Sequence, residues 1–258
     1  MREIDLGSST APAHVRLLVG GKITSGKTSF GATAPYPLFF GDITEGGFNT
    51  IRGMNRALFW NPDFVPKVWA MEKRGDYFSE LDRLHGMIAR KQCPYQTLVF
   101  DSLSVYSQRV IRELKRDNPG IDNRQRYGDL GDAVQILVDR VHALPMHVIW
   151  LCHTDEDDKL VVSGKASTAA FANMDAKLLV RVDVAGKGLV NYQMQTKPFR
   201  GATWIGKRFG AFPDPMIPSF KMIAHYMGLA IRPVSYALPS FNGHDYPNGT
   251  ADFCAPVS

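Results

Sequence analysis

The 258-residue sequence has only three cysteines, Cys93, Cys152 and Cys254. Their wide separation excludes a C-x-x-C metal knuckle and a disulfide framework, a usage that suits a reducing compartment. Long apolar runs are also missing: none approaches the roughly 18 uninterrupted apolar residues of a membrane span. The first ten residues, MREIDLGSST, lack the apolar stretch of a secretory signal. A cytoplasmic protein with no membrane contact is therefore expected. Internal repeats and low-complexity tracts are absent as well. The excess of positive charge is small, 30 Lys and Arg against 25 Asp and Glu, for a net +5 and a pI near 9.1. Such a balance is compatible with a polyanionic partner without demanding one.

What the chain does contain is 45% hydrophobic residues, enough to bury a sizeable core. Apolar runs recur at 15–20 (VRLLVG), 37–42 (PLFFGD), 67–71 (KVWAM), 95–101 (YQTLVFD) and 147–152 (HVIWLC). Between them, 76–91 places Phe78, Leu81, Leu84 and Ile88 on one helical face, and 103–116 does the same with Tyr106, Val110 and Leu114. Continuous apolar strands alternating with amphipathic helices predict an α/β core with a mostly parallel sheet covered on both faces. From 178 onward, LLVRVDVAG and GLVNYQMQT read as antiparallel partners joined around Gly186 to Gly188. A short helix is predicted at 219–228, and the Pro-, Gly- and Asn-rich tail after it reads as an extended arm. The expected organisation is an N-terminal arm at 1–14, a core domain at 15–212, and a C-terminal helix and tail at 213–258.

Directly after the first apolar run, Gly21-Lys22-Ile23-Thr24-Ser25-Gly26-Lys27-Thr28 satisfies G-x-x-x-x-G-K-S/T, the phosphate-binding loop. Glycines let backbone N–H groups curl around phosphates, Lys27 reaches the β and γ oxygens, and the Thr28 hydroxyl ligates Mg²⁺. The predicted nucleotide-binding set is these eight residues together with Ser29, and ATP with Mg²⁺ is the expected ligand. Such a loop needs a second acidic anchor for the metal, normally an aspartate closing a buried strand. Asp101, at the end of TLVFD, meets that description, and it also suits a cap for the helix that follows. Hydrolysis requires a group that orients or deprotonates water. Glu45 and Asp42, in FFGDITEGG, are the available carboxylates at the same sheet edge, with Glu45 preferred; a polar turn is the plainer reading of that segment. His153 closes the strand HVIWLC, where it is either a γ-phosphate sensor or a structural histidine.

With these elements in this order, the chain resembles the RecA-like recombinase core, and within it the phage-type ATPases classed as single-strand annealing proteins or AAA-type ATP-binding proteins. GKITSGKT is similar to the RecA phosphate loop, TLVFDSLSVY to its second metal-binding strand, and VIWLCHTDED to the sensor strand of the phage proteins. The correspondence covers roughly 15–212. It implies an ATPase, stimulated by single-stranded DNA, that works in recombination or annealing as a ring or filament of identical subunits. The resemblance also implies that Lys207 and Arg208, in WIGKRFG, reach the γ-phosphate of a neighbouring subunit; two solvated surface charges are the alternative. Two mobile DNA-facing loops are expected at 118–131, with Arg124, Arg126 and Tyr127, and at 154–171, with Lys159 and Lys165. The acidic run Asp155-Glu156-Asp157-Asp158 sits badly in the second. Arg109, Arg112 and Arg116 form one basic helical face, solvated or DNA-contacting.

Two departures from RecA stand out. Glu45 follows Asp42 by three residues rather than two, and there is no room for RecA's large terminal domains. Annealing, with help from a single-strand binding protein, therefore fits better than full strand invasion. Competing readings are a P-loop small-molecule phosphotransferase and a nucleotide switch whose output is protein binding. The spacing to TLVFDS and the terminal hairpin suit the RecA-like sheet better than either.

Overall fold

Apolar residues at every second position of the central strands divide between two opposite faces, and the computed structural model shows a layer of helices on each. It describes residues 13–43, 46–60, 67–71, 74–162, 173–185, 189–208 and 210–229. The first elements are β1 (Arg16–Gly21), α1 (Lys27–Ala32), β2 (Leu38–Asp42), α2 (Gly47–Arg52), β3 (Lys67–Ala70) and α3 (Arg74–Ala89). They are followed by β4 (Thr97–Asp101), α4 (Leu103–Asp117), α5 (Asn123–His142), β5 (His147–His153), β6 (Ala176–Ala185), β7 (Leu189–Gln195), the two-residue β8 (Gly206–Lys207) and α6 (Phe220–Met227).

The strands form one sheet in the order β3-β2-β4-β5-β1-β6-β7, with β8 alongside β6. Pairs from β3 through β1 to β6 are parallel, and β6 with β7 and with β8 are antiparallel. This is a RecA-like P-loop α/β fold: the strand that leads into the phosphate loop and the strand that ends in Asp101 are separated by one inserted strand, β5. The expected mostly parallel sheet with a terminal antiparallel pair is what forms. The connection at 186–188 lies outside the described residues, as does the tail from 230 and all but the last two residues of the N-terminal arm.

Period-two alternation explains the two cores. From β1 and β5, Leu18, Val148, Trp150 and Cys152 face a cluster completed by Tyr77, Tyr106, Leu130 and Val134 of α3, α4 and α5. Leu17, Val19, Ile149 and Leu151 face the other way, onto Phe30 of α1 and Phe220, Ile223 and Met227 of α6. Helix α6, beyond the boundary drawn at 212, thus shares a core with the first strand. Its start is set by Ser219, whose hydroxyl accepts from Lys221 N at 3.3 Å, and its end by Gly228 at φ 67°.

Between α4 and β5 the structure differs from expectation. Residues 123–131 are the first turns of α5, not a loop. Asp122 caps the helix, its carboxylate accepting from Gln125 N at 3.0 Å, while Leu130 and Val134 bury against α4. The turn that Asn118-Pro119-Gly120 signals is real but short.

Candidate functional site

The loop between β1 and α1 closes on itself. Lys27 donates from Nζ to the carbonyls of Gly21 at 2.8 Å and Lys22 at 2.7 Å, and Ser25 N donates to Lys22 O at 3.2 Å. Two glycines are sterically required. A Cβ on Gly21 would stand 2.3 Å from Ser25 Oγ and 2.6 Å from the Val180 carbonyl; one on Gly26, at φ +93°, would meet the Tyr192 ring at 2.8 Å. The loop lines a cavity of about 400 Å³ together with Thr28, Ser29, Gly47, Thr50, Asp101, His153 and Tyr192. All nine residues of the predicted nucleotide-binding set except Gly21 and Lys22 line that cavity; these two supply the carbonyls that hold Lys27.

Sheet register brings the acidic partners to the same edge. Asp42 and Asp101 end adjacent strands and are register partners, and both are buried, at 1% and 2% exposure. The Thr28 hydroxyl donates to Asp101 Oδ2 at 2.8 Å. A Cβ built on Gly47 would lie 3.2 Å from Asp101 Oδ2, 3.4 Å from Asp42 Oδ2 and 3.3 Å from Thr28 Cγ2, so the start of α2 fits over the three side chains because residue 47 has none. One hydroxyl and two carboxylates are the hard oxygen donors that Mg²⁺ prefers, with water and phosphate completing its shell. Among the described residues no three His, Cys, Asp or Glu cluster in a way that would hold a metal by protein alone. Ser25 Oγ, buried in the loop and without a hydrogen-bond partner, is a polar atom that a phosphate oxygen would satisfy. The residues fit a Mg²⁺–triphosphate.

His153 pairs in register with Gly21, lines the cavity, and is held by its backbone N–H donating to Ser104 Oγ at 2.8 Å. Glu45 lies outside the described residues, leaving Asp42 as the described candidate base. Lys207 and Arg208 stand elsewhere: β8 pairs with Ala176 and Lys177, and Ala176 pairs with Leu17, at the amino end of β1 away from the loop. Lys207 packs its ammonium 4.9 Å from the Phe212 ring centroid; partial burial, then the charge of Lys197, lower its pKa. These two residues cannot serve their own chain's phosphate loop.

The DNA-facing candidates separate. Arg126 is buried and acts as a brace, donating to Asn123 Oδ1 at 2.8 Å, Ile121 O at 2.8 Å and Asn118 O at 3.4 Å. Arg124 and Tyr127 are exposed on α5. Tyr127 borders a groove of about 310 Å³ with Gln108 and Lys115 of α4 and Leu160 to Val162. Of the basic face on α4, Arg109 donates to Met71 O at 3.0 Å and Arg116 pairs with Asp117 at 2.9 Å.

The acidic run is consumed locally. Glu156 pairs with Lys22 of the phosphate loop at 2.7 Å, Asp157 with Lys159 at 3.0 Å, and Asp158 with Arg181. Asp155 accepts from the N–H groups of Asp157 and Lys159, closing a turn that the Thr154–Leu160 bridge completes. Lys159 is thus spent on its neighbour, and Lys165 lies outside the described residues. Sequence reasoning missed Tyr192 and Gly47. A tyrosine in a strand and a glycine in a turn carry no signal of what lies across from them.

A phosphate loop opposite a strand-terminal aspartate, with one strand inserted between theirs, defines a P-loop nucleoside triphosphatase core. The AAA domain family profile matches residues 13–196, and the chain belongs to that family. A comparison with curated proteins found no match. Among solved structures, the KaiC-like protein of the hyperthermophilic archaeon Pyrococcus horikoshii OT3 is similar at 12% identity and a TM-score of 0.45, over 72% of this chain and 79% of that one. Among the described residues, no helix is long and apolar enough to cross a membrane.

Proposed function

We propose that the protein is a Mg²⁺-dependent ATPase that binds single-stranded DNA and acts in recombination or annealing as an assembly of identical subunits. The observation that carries the catalytic part is the Lys27, Thr28 and Asp101 constellation, with Asp42 beside it. On binding, Lys27 exchanges the carbonyls of Gly21 and Lys22 for phosphate oxygens. Thr28 and Asp101 would hold Mg²⁺, which would neutralise charge on the phosphate oxygens. Asp42 or Glu45 orients water, and His153 senses the γ-phosphate from the adjoining strand end. Lys207 and Arg208, remote from their own loop, act on a neighbour's nucleotide, so that turnover depends on assembly.

For DNA, support comes from the groove between α4, α5 and Leu160–Val162, where Tyr127 offers a stacking surface and Lys115 a phosphate contact, with Arg124 exposed three residues before Tyr127 on the same helix. Annealing, assisted by a single-strand binding protein, is the proposed outcome. The test is ATP hydrolysis with and without single-stranded DNA, comparing the native chain with Lys27→Ala and Asp101→Asn. DNA-stimulated hydrolysis lost in both variants is expected. If DNA leaves turnover unchanged, the recombination reading fails.

A further inference from the structure

Among the described residues, two grooves flank the phosphate cavity, and each is open to the base of a nucleoside triphosphate seated on the loop. The first, about 470 Å³, is shared through Ile23, Thr24 and Ser25 and is walled by Lys22, Glu156, Asp158 and Arg181. Its charges pair with one another, Lys22 with Glu156 and Arg181 with Asp158. A neutral aromatic base would have to separate or desolvate them. The second, about 590 Å³, is shared through Gly26, Ser29 and Tyr192. Its walls are Phe30, Met54, Leu58, Ile217 and Met222, and three of its apolar side chains face solvent: Ile217 at 68%, Leu58 at 55% and Tyr192 at 48% exposure. Exposed apolar side chains gathered at a concavity mark a binding surface.

Two of the hydroxyls lining this cleft, those of Thr33 and Ser219, are committed within the fold. Thr33 Oγ1 donates to Phe30 O at 2.7 Å and accepts from Phe220 N at 2.9 Å, and Ser219 Oγ caps α6. A site discriminates strongly between bases only where fixed donors and acceptors would be left unpaired by the wrong one. Lys221, exposed and on a long stem, supplies no such fixed pair.

We propose that the cleft between α1, β7 and the segment preceding α6 receives the nucleobase, stacked on Tyr192, and that it accepts adenine and guanine with little discrimination. This rests on the nucleotide-binding reading above, and inorganic tripolyphosphate separates the two. Titration calorimetry in Mg²⁺ would compare ATP, GTP and tripolyphosphate on the native chain, Lys27→Ala, Tyr192→Phe, Tyr192→Ala and Ile217→Ser. ATP and GTP are expected within roughly three-fold of each other. Tyr192→Ala weakens both roughly ten-fold, Ile217→Ser weakens both less while leaving tripolyphosphate affinity at the native value, Tyr192→Phe restores binding, and Lys27→Ala weakens all three ligands. ATP affinity that survives both Tyr192→Ala and Ile217→Ser would remove the base from this cleft. A hundred-fold preference for one purine would refute the lack of discrimination. A change in subunit association without a change in ATP affinity would make the cleft a protein interface instead. Failure of tripolyphosphate and ATP alike on the native chain would bring down the nucleotide reading itself.

Discussion

Acidification from pH 7.5 to 5.0 should destabilise the fold through two buried histidines at the amino edge of the sheet. His147 Nδ1 accepts from Val15 N at 3.2 Å, and His142 Nε2 accepts from the Trp150 indole N–H at 3.1 Å. Neither donor can turn into an acceptor, so a proton on either ring nitrogen would face an N–H. Burial lowers both pKa values from 6.5 to about 4, with Arg16 adding to the effect at His142 and His14 at His147. Both groups are neutral in either state from about one pH unit above 6.5, so stability is flat there. As pH falls from 6.5 towards 4, the unfolded chain takes up protons that the folded one refuses, and stability drops. At pH 5.0 the loss is about 2 kcal/mol per histidine. For a domain of this size, the pair lowers the melting temperature by roughly 8–16 °C. Thermal melts followed by circular dichroism would measure it, with the double variant His142→Gln and His147→Gln as control. A native curve flat between pH 7.5 and 5.0, or a double variant as pH-sensitive as the native chain, would refute the reasoning.

Gly21→Ala drives a Cβ into the Val180 carbonyl, which as backbone cannot move aside, so nucleotide affinity should fall at least ten-fold with about 1–3 kcal/mol of stability; calorimetric titration and a melt read the two separately. Arg126→Ala removes the guanidinium donor from the Ile121 carbonyl, while the Asn118 carbonyl keeps the Ile121 N–H, and should cost about 1–3 kcal/mol in denaturant unfolding. Tyr127→Ala, at an exposed position, should leave stability within about 0.5 kcal/mol while weakening single-stranded DNA binding in a fluorescence anisotropy assay. Equal losses of DNA affinity in folded Arg126→Ala and Tyr127→Ala would show that the brace contacts DNA after all.

Residues 21–28 and the run TLVFD were legible because their signal is local. Backbone curvature around phosphate needs glycine at set positions, and a buried strand ending in aspartate is a short string of its own. Strand periodicity likewise fixed the parallel core and the terminal antiparallel pair. What the string could not carry is which side chains meet across the sheet. The register that sets Asp42 beside Asp101, the packing of Tyr192 against Gly26, and the fit of Gly47 over Thr28 and the two carboxylates join residues distant in sequence through hydrogen-bonded strands. Composition also misled where charge was read without partners. Arg126 looked like a DNA contact and is a buried brace, and the acidic run looked hostile to a DNA backbone, yet three of its four carboxylates are paired with Lys22, Lys159 and Arg181. An isolated charge has its meaning set by what the fold brings within a few ångströms, because pairing and burial, not residue type, decide whether it is available to a ligand.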